Sequence, residues 1–507
     1  MFKAIVKFFA PVIFVTMLLN GGVEAAEHNV QIDIYGINDL RGSLRQESDY
    51  PGVAKLSGVL NKLKAENPQG YLLLGGGNML FGTIESDENN GIPTVEAMNM
   101  MGFVANVTGS HFFDFKPEIF REQLAVAKFP YLACNVEVKQ GTPLFKPYVL
   151  TERAGVKIGI VGVTTRTTLR EVSKENLANF TFVDSVASTQ KYINEVRKKG
   201  AELVVLLMHC GVQQRPADGA LRGEAIEVLR KLQGVDVVFT GDSQTVVTGR
   251  YNNIPVLQAG SHGRYIAKAQ VTFNSAEKKV AAVEEQMIKV NEQLVPSDIA
   301  LTKLIAPICQ AVDAKFGELL AYNERNLNNS KEDQSLTADY LTDLLRKASK
   351  ADLAIINGGA FRSNLPSGQI TARNIEEIYP FRGAAVILTL KGSDVLAALD
   401  YGIDNKLVGQ GRFSGVRLAV EPDMPRGAKI VDTELPDGSK LEPNKEYRVL
   451  TNSFLATGGD GYSMFKNARH TTVFAKDIKQ LLRQLVKDAK IINYVDDYRF
   501  SVGEIRH

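Results

Sequence analysis

Gly36-Ile37-Asn38-Asp39-Leu40-Arg41-Gly42 closes a β-like run in which Val30, Ile32 and Ile34 alternate with polar residues, and then breaks into a glycine turn. A carboxylate at such a point sits on the rim of a sheet, where α/β proteins hold ligands and metals, so Asp39 is a candidate metal ligand. Taken alone it is more simply explained as a turn cap. Arg41, two positions on, argues against a metal because it adds a permanent cation.

With 507 residues, 44% hydrophobic and 23% charged, the chain has ordinary globular composition and is long enough for two or more domains. Its 59 basic and 57 acidic residues leave a net charge of +2, which gives no electrostatic case for nucleic acid. Lys3 and Lys7, an apolar run over 8–19 and the small-residue site Val23-Glu24-Ala25 read as a secretory signal peptide over 1–25, cleaved after Ala25 or Ala26. The apolar run is short for a membrane anchor. The mature chain is therefore expected to be exported, periplasmic and free of the membrane. Cys134, Cys210 and Cys309 are too few for a disulfide framework; free thiols are expected, with one bridge at most.

β-like runs at 71–74, 104–107, 131–136, 157–163, 203–208, 235–240 and 254–257 alternate with helical patterns at 53–63, 93–101 and 185–199. Such alternation predicts a layered α/β architecture. Residues 278–295 read as a closing strand and connector. Leu301, Leu304, Ile305, Ile308 and Val312 then form a helical pattern interrupted by Pro307. After a polar stretch over 323–334, α/β character resumes at 353–356, 385–390, 416–420 and 447–450. A last helix carries Ile478, Leu481, Leu482 and Leu485 on one face.

Strand ends in the first half deliver polar residues through glycine turns: Gly75-Gly76-Gly77-Asn78, Gly109-Ser110-His111-Phe112-Phe113-Asp114, His209-Cys210-Gly211 and Gly241-Asp242-Ser243-Gln244. Strands that end at one edge bring their loops together, so these turns and the Asp39 turn read as one site. The second half supplies Asn357-Gly358-Gly359-Ala360-Phe361-Arg362, Tyr379-Pro380-Phe381 and the run from Thr451 to Tyr462. Two aromatic rings, an Asn, an Asp and an Arg suit a nucleotide: rings stack on the base, a carboxylate accepts from ribose hydroxyls and a guanidinium holds phosphate. Each Phe alone is more simply a core residue.

The order and spacing of these turns resemble the exported 5′-nucleotidase / UDP-sugar hydrolase family of two-domain metallophosphoesterases, over essentially the whole mature chain. The resemblance implies a four-layer metallophosphoesterase-like β-sandwich flanked by helices over 26–295. It further implies an interdomain helix over 296–318, about which the substrate domain rotates, and an α/β nucleotide-binding domain over 319–507. Two divalent metals (manganese, zinc or cobalt) are implied, with ligands at Asp39, His209 and Gln244, beside a catalytic pair His111 and Asp114. In the second half, Phe381 and Phe454 match the base-stacking pair, Asn357 a base contact, Asp460 the ribose contact and Arg362 a phosphate contact.

Four ligand positions depart from the family: Arg41 stands for His, Asn78 for the bridging Asp, Ser110 for Asn and Asp242 for His. Asn78 offers one neutral oxygen, a poor bridge between two cations. Arg41 cannot lose its proton and is expected to fill the vacated space, pairing with Asp39 or Asp242. A single-metal site of Asp39, Asp242, His209 and Gln244 is what remains. In the second half Arg382-Gly383 replaces Gly-Asn, and a further phosphate Arg before 336–341 is missing, with Lys331 the nearest cation.

The combined expectation is an exported protein that recognises nucleotides or nucleosides and whose phosphoester hydrolysis is weak or lost. The alternative is an active metal-dependent phosphohydrolase of nucleoside 5′-monophosphates or UDP-sugars, using an altered or single metal. A third reading is a surface or structural protein that keeps only the fold. Whether the chain is an enzyme, and how it oligomerises, are not legible in the sequence.

Overall fold

Ile32 and Ile34 bury on one face of the strand Asn29–Ile37, Tyr35 and Ile37 on the other. A strand buried on both faces has to lie inside a stack of layers. The computed structural model describes residues 29–47, 49–114, 117–139, 145–172, 174–331, 333–405, 409–495 and 498–505; the leader read over 1–25 lies outside them. No helix among the described residues is long and apolar enough to cross a membrane.

The first sheet has the order Lys279–Lys289, Tyr265–Asn274, Asn29–Ile37, Tyr71–Gly75, Ala105–Val107, Tyr131–Leu132. Asn29–Ile37 pairs in parallel with Tyr71–Gly75, with Ile34 opposite Leu72, and antiparallel with Tyr265–Asn274. The second sheet runs Val246–Tyr251, Ile254–Ala259, Val237–Phe239, Leu203–His209, Val156–Thr164, Tyr148–Arg153. Ile32, Ile34, Leu72 and Leu74 meet Ile158, Ile160, Leu203, Val205 and Leu207 between the sheets. The sheets close so tightly that a Cβ on Gly36 would fall 2.3 Å from the Phe239 ring, which only glycine avoids.

The outer face of the first sheet is covered by Gly52–Glu66 and Ile92–Met101, that of the second by Ser185–Lys198 and Glu224–Leu229. The result is helix, sheet, sheet, helix: the expected four-layer sandwich. The run at 131–136 is not one strand. It breaks before Val136–Val138, because the Asn135 side chain turns into the second sheet, donating to Thr164 O at 2.7 Å and accepting from Thr164 N at 2.9 Å. Cys134 and Cys210 are buried free thiols and Cys309 is a half-buried one.

The second half is built on a five-stranded sheet, Arg412–Ser414, Leu353–Ile356, Glu446–Asn452, Ala385–Lys391, His470–Ala475. Ala354 and Ile356 pack on one side with Leu336–Ser349, Ala372–Ile378 and Ile478–Ala489; Leu353 and Ile355 pack on the other with Gly392–Gly402. The connecting helix Ile299–Phe316 corrects the expectation that Pro307 interrupts it: the helix runs through. Pro307 and Lys303, whose carbonyl loses its partner, both face solvent, where water takes the missing hydrogen bond.

A short helix of the first half, Ile84–Asp87, docks into the second. Ile84 is buried in the same cluster as Val312, Phe316 and Ile375. Next to it Glu85, 1% exposed, receives Arg45 Nε at 3.0 Å and Arg373 Nη1 at 2.8 Å. Arg373 also reaches Glu47 and Glu377, and Arg45 reaches Asp313 on the connecting helix. A buried carboxylate flanked by two guanidiniums is costly to break from one side, because the remaining charges stay desolvated. Glu85→Ala is therefore expected to lower the unfolding free energy by about 3 kcal/mol, and Ile84→Ala by about 2 kcal/mol or more. Urea unfolding checks both; two unchanged midpoints would mean that the halves are held together elsewhere.

Candidate active site

Alternation along Leu203–His209 decides where the first polar group points. Leu203, Val205 and Leu207 face the space between the sheets, so His209, two residues on, faces it too, at the edge where the strands end. His209 is fully buried, its Nδ1 meets Gly76 O at 2.7 Å, and its Nε2 has no partner. A carbonyl oxygen can only accept, so Nδ1 donates there and Nε2 is the nitrogen left facing the site.

Asp39 is equally buried. Its Oδ2 accepts from Asn38 Nδ2 and from the Asp242 N–H, both at 2.9 Å, while Oδ1 is unpartnered. Asp242 Oδ1 lies 3.7 Å from His209 Nε2. Burial pushes the Asp242 pKa up to about 6, with Glu171, Asp39 and Glu224 adding to the rise and His209 opposing it. Two buried donors without partners and a carboxylate beside them fit one divalent cation of the manganese, zinc or cobalt type, with Gln244 two residues further along the same loop. They are adjacent rather than gathered into a finished set, since no cluster of three His, Cys, Asp or Glu ligands is formed among the described residues.

The Asn78 and Ser110 turns are arranged differently. Asn78 Oδ1 accepts the His111 N–H at 3.1 Å, so its one oxygen is committed to the turn, and Gly109 fits under it because a Cβ there would come within 2.1 Å. Ser110 Oγ is buried without a partner. Arg41 departs from expectation: it makes no ion pair with Asp39, Asp242 or any other described carboxylate. The Asp39 carboxylate is already engaged by Asn38 and the Asp242 backbone. His111 Nδ1 and Asp114 Oδ2 are 2.6 Å apart, a short acid–base pair at the same edge.

In the second half, Asn357 Nδ2 donates to Asp460 Oδ2 at 2.8 Å, and Asn452 Nδ2 donates to Asn357 Oδ1 at 3.1 Å. Burial raises the Asp460 pKa in spite of that Asn357 bond. Arg362 lies over the Phe381 ring at 5.0 Å, and Tyr379 meets that ring edge-on at 6.3 Å. Phe454 is half-buried and leans on Gly459, where a Cβ would stand 2.5 Å from its ring. Arg382 turns away from this site and donates to Asp87 O at 3.3 Å, so the Gly-to-Arg departure serves the contact between the halves. Lys331 is exposed and lays its stem on Gly409.

The two sets face one another. The Arg362 guanidinium still meets solvent, yet protein crowds it. That desolvation, and next the charge of Arg41, bring its pKa down to about 10, against the pull of Asp114, Asp460 and Glu171. The helix Thr168–Glu171 packs on both the Ser110–Asp114 turn and the Gly459–Gly461 turn. Asp39, Arg41, Asn78, Asp242, Gln244, His262 and Asp460 all have φ between 45° and 81°. Left-handed non-glycine residues cost about 1 kcal/mol each or more and collect where function over-determines the backbone. The sequence reading missed Arg170, Glu171 and His262. The run Thr164-Thr165-Arg166-Thr167-Thr168 after a strand was the same kind of signal as the other turns.

A two-sheet phosphoesterase sandwich joined to a second α/β unit, with polar strand ends facing an aromatic and guanidinium pocket, defines a nucleotide phosphoesterase class of architecture. The model of the 5′-nucleotidase C-terminal domain matches residues 312–467. Protein UshA of Yersinia enterocolitica is 28% identical over 77% of this chain and 78% of its own length, and a 5′-nucleotidase of Vibrio cholerae is 25% identical over 86% of each. The crystal structure of a 5′-nucleotidase precursor from Thermus thermophilus, 24% identical, superposes with a TM-score of 0.83 over 93% of this chain and 99% of that one, a likeness of fold. Residues 312–467 match the 5′-nucleotidase C-terminal domain, and the chain as a whole is similar to 5′-nucleotidases.

Two outcomes test the second-half site. Phe454→Ala should weaken nucleotide binding by about 1–3 kcal/mol, the usual worth of one base stack; unchanged affinity would remove Phe454 from the site. A ribose hydroxyl donating to ionised Asp460 favours the charged form, so binding should release protons and weaken as pH falls. Because burial raises this pKa, the loss should set in above the pH at which a free Asp protonates. Titrating nucleoside affinity against pH in the wild type and in Asp460→Asn, which should be flat, checks it.

Proposed function

We propose that this protein is an exported, periplasmic nucleotide-binding member of the 5′-nucleotidase family whose phosphoester hydrolysis is weak or lost. The sandwich of 26–295 contributes the eroded metal site, 296–318 the connection and 319–507 the nucleotide pocket. The observation that carries this reading is the commitment of Asn78 Oδ1 to the His111 N–H, beside an Arg41 that pairs with no carboxylate among the described residues. Neither the amide of Asn78 nor the guanidinium of Arg41 can bridge two cations.

Asp39, His209, Asp242 and Gln244 are the residues that would hold a single divalent ion. Such an ion, when bound, supplies Lewis acidity and hydroxide at neutral pH. His111, oriented by Asp114, is placed to donate a proton or hydrogen bond to the phosphoryl group. Phe381 and Phe454 take the base, with Asn357 at its edge. Asp460 takes the ribose and Arg362 the phosphate. This assignment favours a binding role over a purely structural one, since a fold-only descendant has no use for Asn357 tied to Asp460 and Arg362 laid over Phe381.

A second reading, an active single-metal phosphohydrolase of nucleoside 5′-monophosphates or UDP-sugars, is favoured by the free Nε2 of His209 and Oδ1 of Asp39 together with the intact His111–Asp114 pair. Phosphate release from 5′-AMP and UDP-glucose, with manganese, zinc or cobalt and with chelator as control, separates the two. Release near background is expected for the wild type. The double variant Arg41→His/Asn78→Asp should then raise metal-dependent release by about 100-fold or more, given that lesser losses around metal ligands cost ~10 to 100-fold. Chelator-sensitive turnover at ordinary enzyme rates in the wild type would establish the second reading instead.

A further inference from the structure

The function proposed above gives Arg41 no task of its own, although its surroundings are unusual for an idle surface arginine. Its backbone is held in the left-handed region at φ 53°, and its N–H donates to Asn78 O at 3.1 Å. Gly82 lies against this residue, where a side chain's Cβ would come within 3.1 Å of the Arg41 Cβ. Its Nε is buried without a partner. Asp39, two residues away, has its Oδ2 filled by Asn38 and the Asp242 N–H and does not take the guanidinium.

The charge of Arg41 is instead felt across the cleft. It lowers the pKa of Arg362, after desolvation, and it helps burial bring His262 down to about 3. His262 is thus neutral; it is stacked on Tyr50 at 4.1 Å and offers no counter-charge. Arg264 is spent on Ser261 and on the face of Tyr50. Neither the Arg41 nor the Arg362 guanidinium has an ion pair among the described residues; Arg362 feels Arg41 as well as the carboxylates of Asp114, Asp460 and Glu171, and an anion between the two arginines would be favourable to both.

We propose that Arg41 is a phosphate-binding, specificity-determining residue: it and Arg362 clamp the 5′-phosphate of a nucleotide from the two walls of the cleft, Arg41 supplying the positive charge that the missing second metal would have given. The inference rests on the nucleotide-binding reading above and narrows it. The ligand is a phosphorylated nucleoside rather than a free nucleoside, and its capture needs no metal.

The test is calorimetric titration of the full chain, in chelator, with 5′-AMP and 5′-UMP and with adenosine and uridine, for the wild type, Arg41→Gln and Arg41→Lys. A charge-assisted hydrogen bond is worth about 1.5–3 kcal/mol, or about 10-fold and upward in affinity. The wild type should therefore bind at least one monophosphate about 10-fold or more tighter than its nucleoside. Arg41→Gln should lose most of that margin while nucleoside affinity stays within about 2-fold, which also shows the pocket to be intact; Arg41→Lys should keep part of it, as a point charge without the fork. Unchanged monophosphate affinity in Arg41→Gln overturns the clamp, and so does an equal loss for nucleosides, which would make Arg41 merely structural. Wild-type binding of nucleosides with no gain from the phosphate sinks the clamp but leaves the nucleotide-pocket reading standing. Binding of neither class sinks both.

Discussion

The face-to-face packing of two six-stranded sheets is the constraint on which the site depends. The inner strands of both sheets are buried on both faces, so successive side chains enter different layers, and a slip of one residue would exchange every inward side chain for an outward one. That alternation carries past the last hydrogen bond. His209 continues the inward row Leu203, Val205 and Leu207. It arrives at the rim with Asp39, which follows the inward Ile32, Ile34 and Gly36 of the facing sheet by a single turn. The approach at Gly36 and Phe239 brings the two rims close enough for the Asp242 N–H to reach Asp39 Oδ2. Dry sheet packing thus fixes donor atoms that no local interaction could hold.

The second half stands opposite that rim because of a smaller device. Ile84 extends the core of the other unit and Glu85 places a buried carboxylate between Arg45 and Arg373. Hydrophobic burial supplies attraction without direction, and the paired guanidiniums supply direction. Together with the packing of Thr168–Glu171 on the Gly459–Gly461 turn, they hold Arg362 where it feels both Asp114 and Asp460. In this arrangement Arg362 of one half feels the carboxylate of the His111–Asp114 pair of the other.

The sandwich was legible because continuous apolar runs such as 71–74 and 203–208, alternating with helical patterns, are a strong signal of doubly buried strands, and most of the turns that build the site follow such strands. What escaped were features whose cause lies far away in the chain. The helix Ile84–Asp87 is too short to show periodicity, and its burial comes from residues more than two hundred positions on. Pro307 looks like a helix breaker in sequence; only the solvent exposure of Pro307 and Lys303 makes it harmless. Arg382 reads as damage to a base-binding loop, yet it reaches Asp87 of the other half. Arg41 was expected to fall onto the nearest carboxylate, which a sequence shows as close; in the structure Asn38 and the Asp242 N–H take Oδ2 of Asp39 and the guanidinium pairs with neither oxygen.

Arg41 also separates two tasks that a metal pair performs together. A second divalent ion would both neutralise the phosphate and, with the first, lower the pKa of a bound water to make a nucleophile. A guanidinium matches the first task, because it is a planar fork of hydrogen-bond donors with a fixed charge. It cannot perform the second, since it has no vacant coordination position for water. The same holds at Asn78, whose amide oxygen keeps the turn in shape by accepting the His111 N–H but brings no charge to share between ions. On the function proposed above, such a site keeps interactions that stabilise a bound nucleotide in its ground state and forfeits those that grow toward the transition state. The left-handed backbone at Asp39, Arg41, Asn78 and Asp242 is consistent with that division: the loops keep the strained shape that aims side chains into the cleft, while two of the side chains aimed there no longer suit a metal.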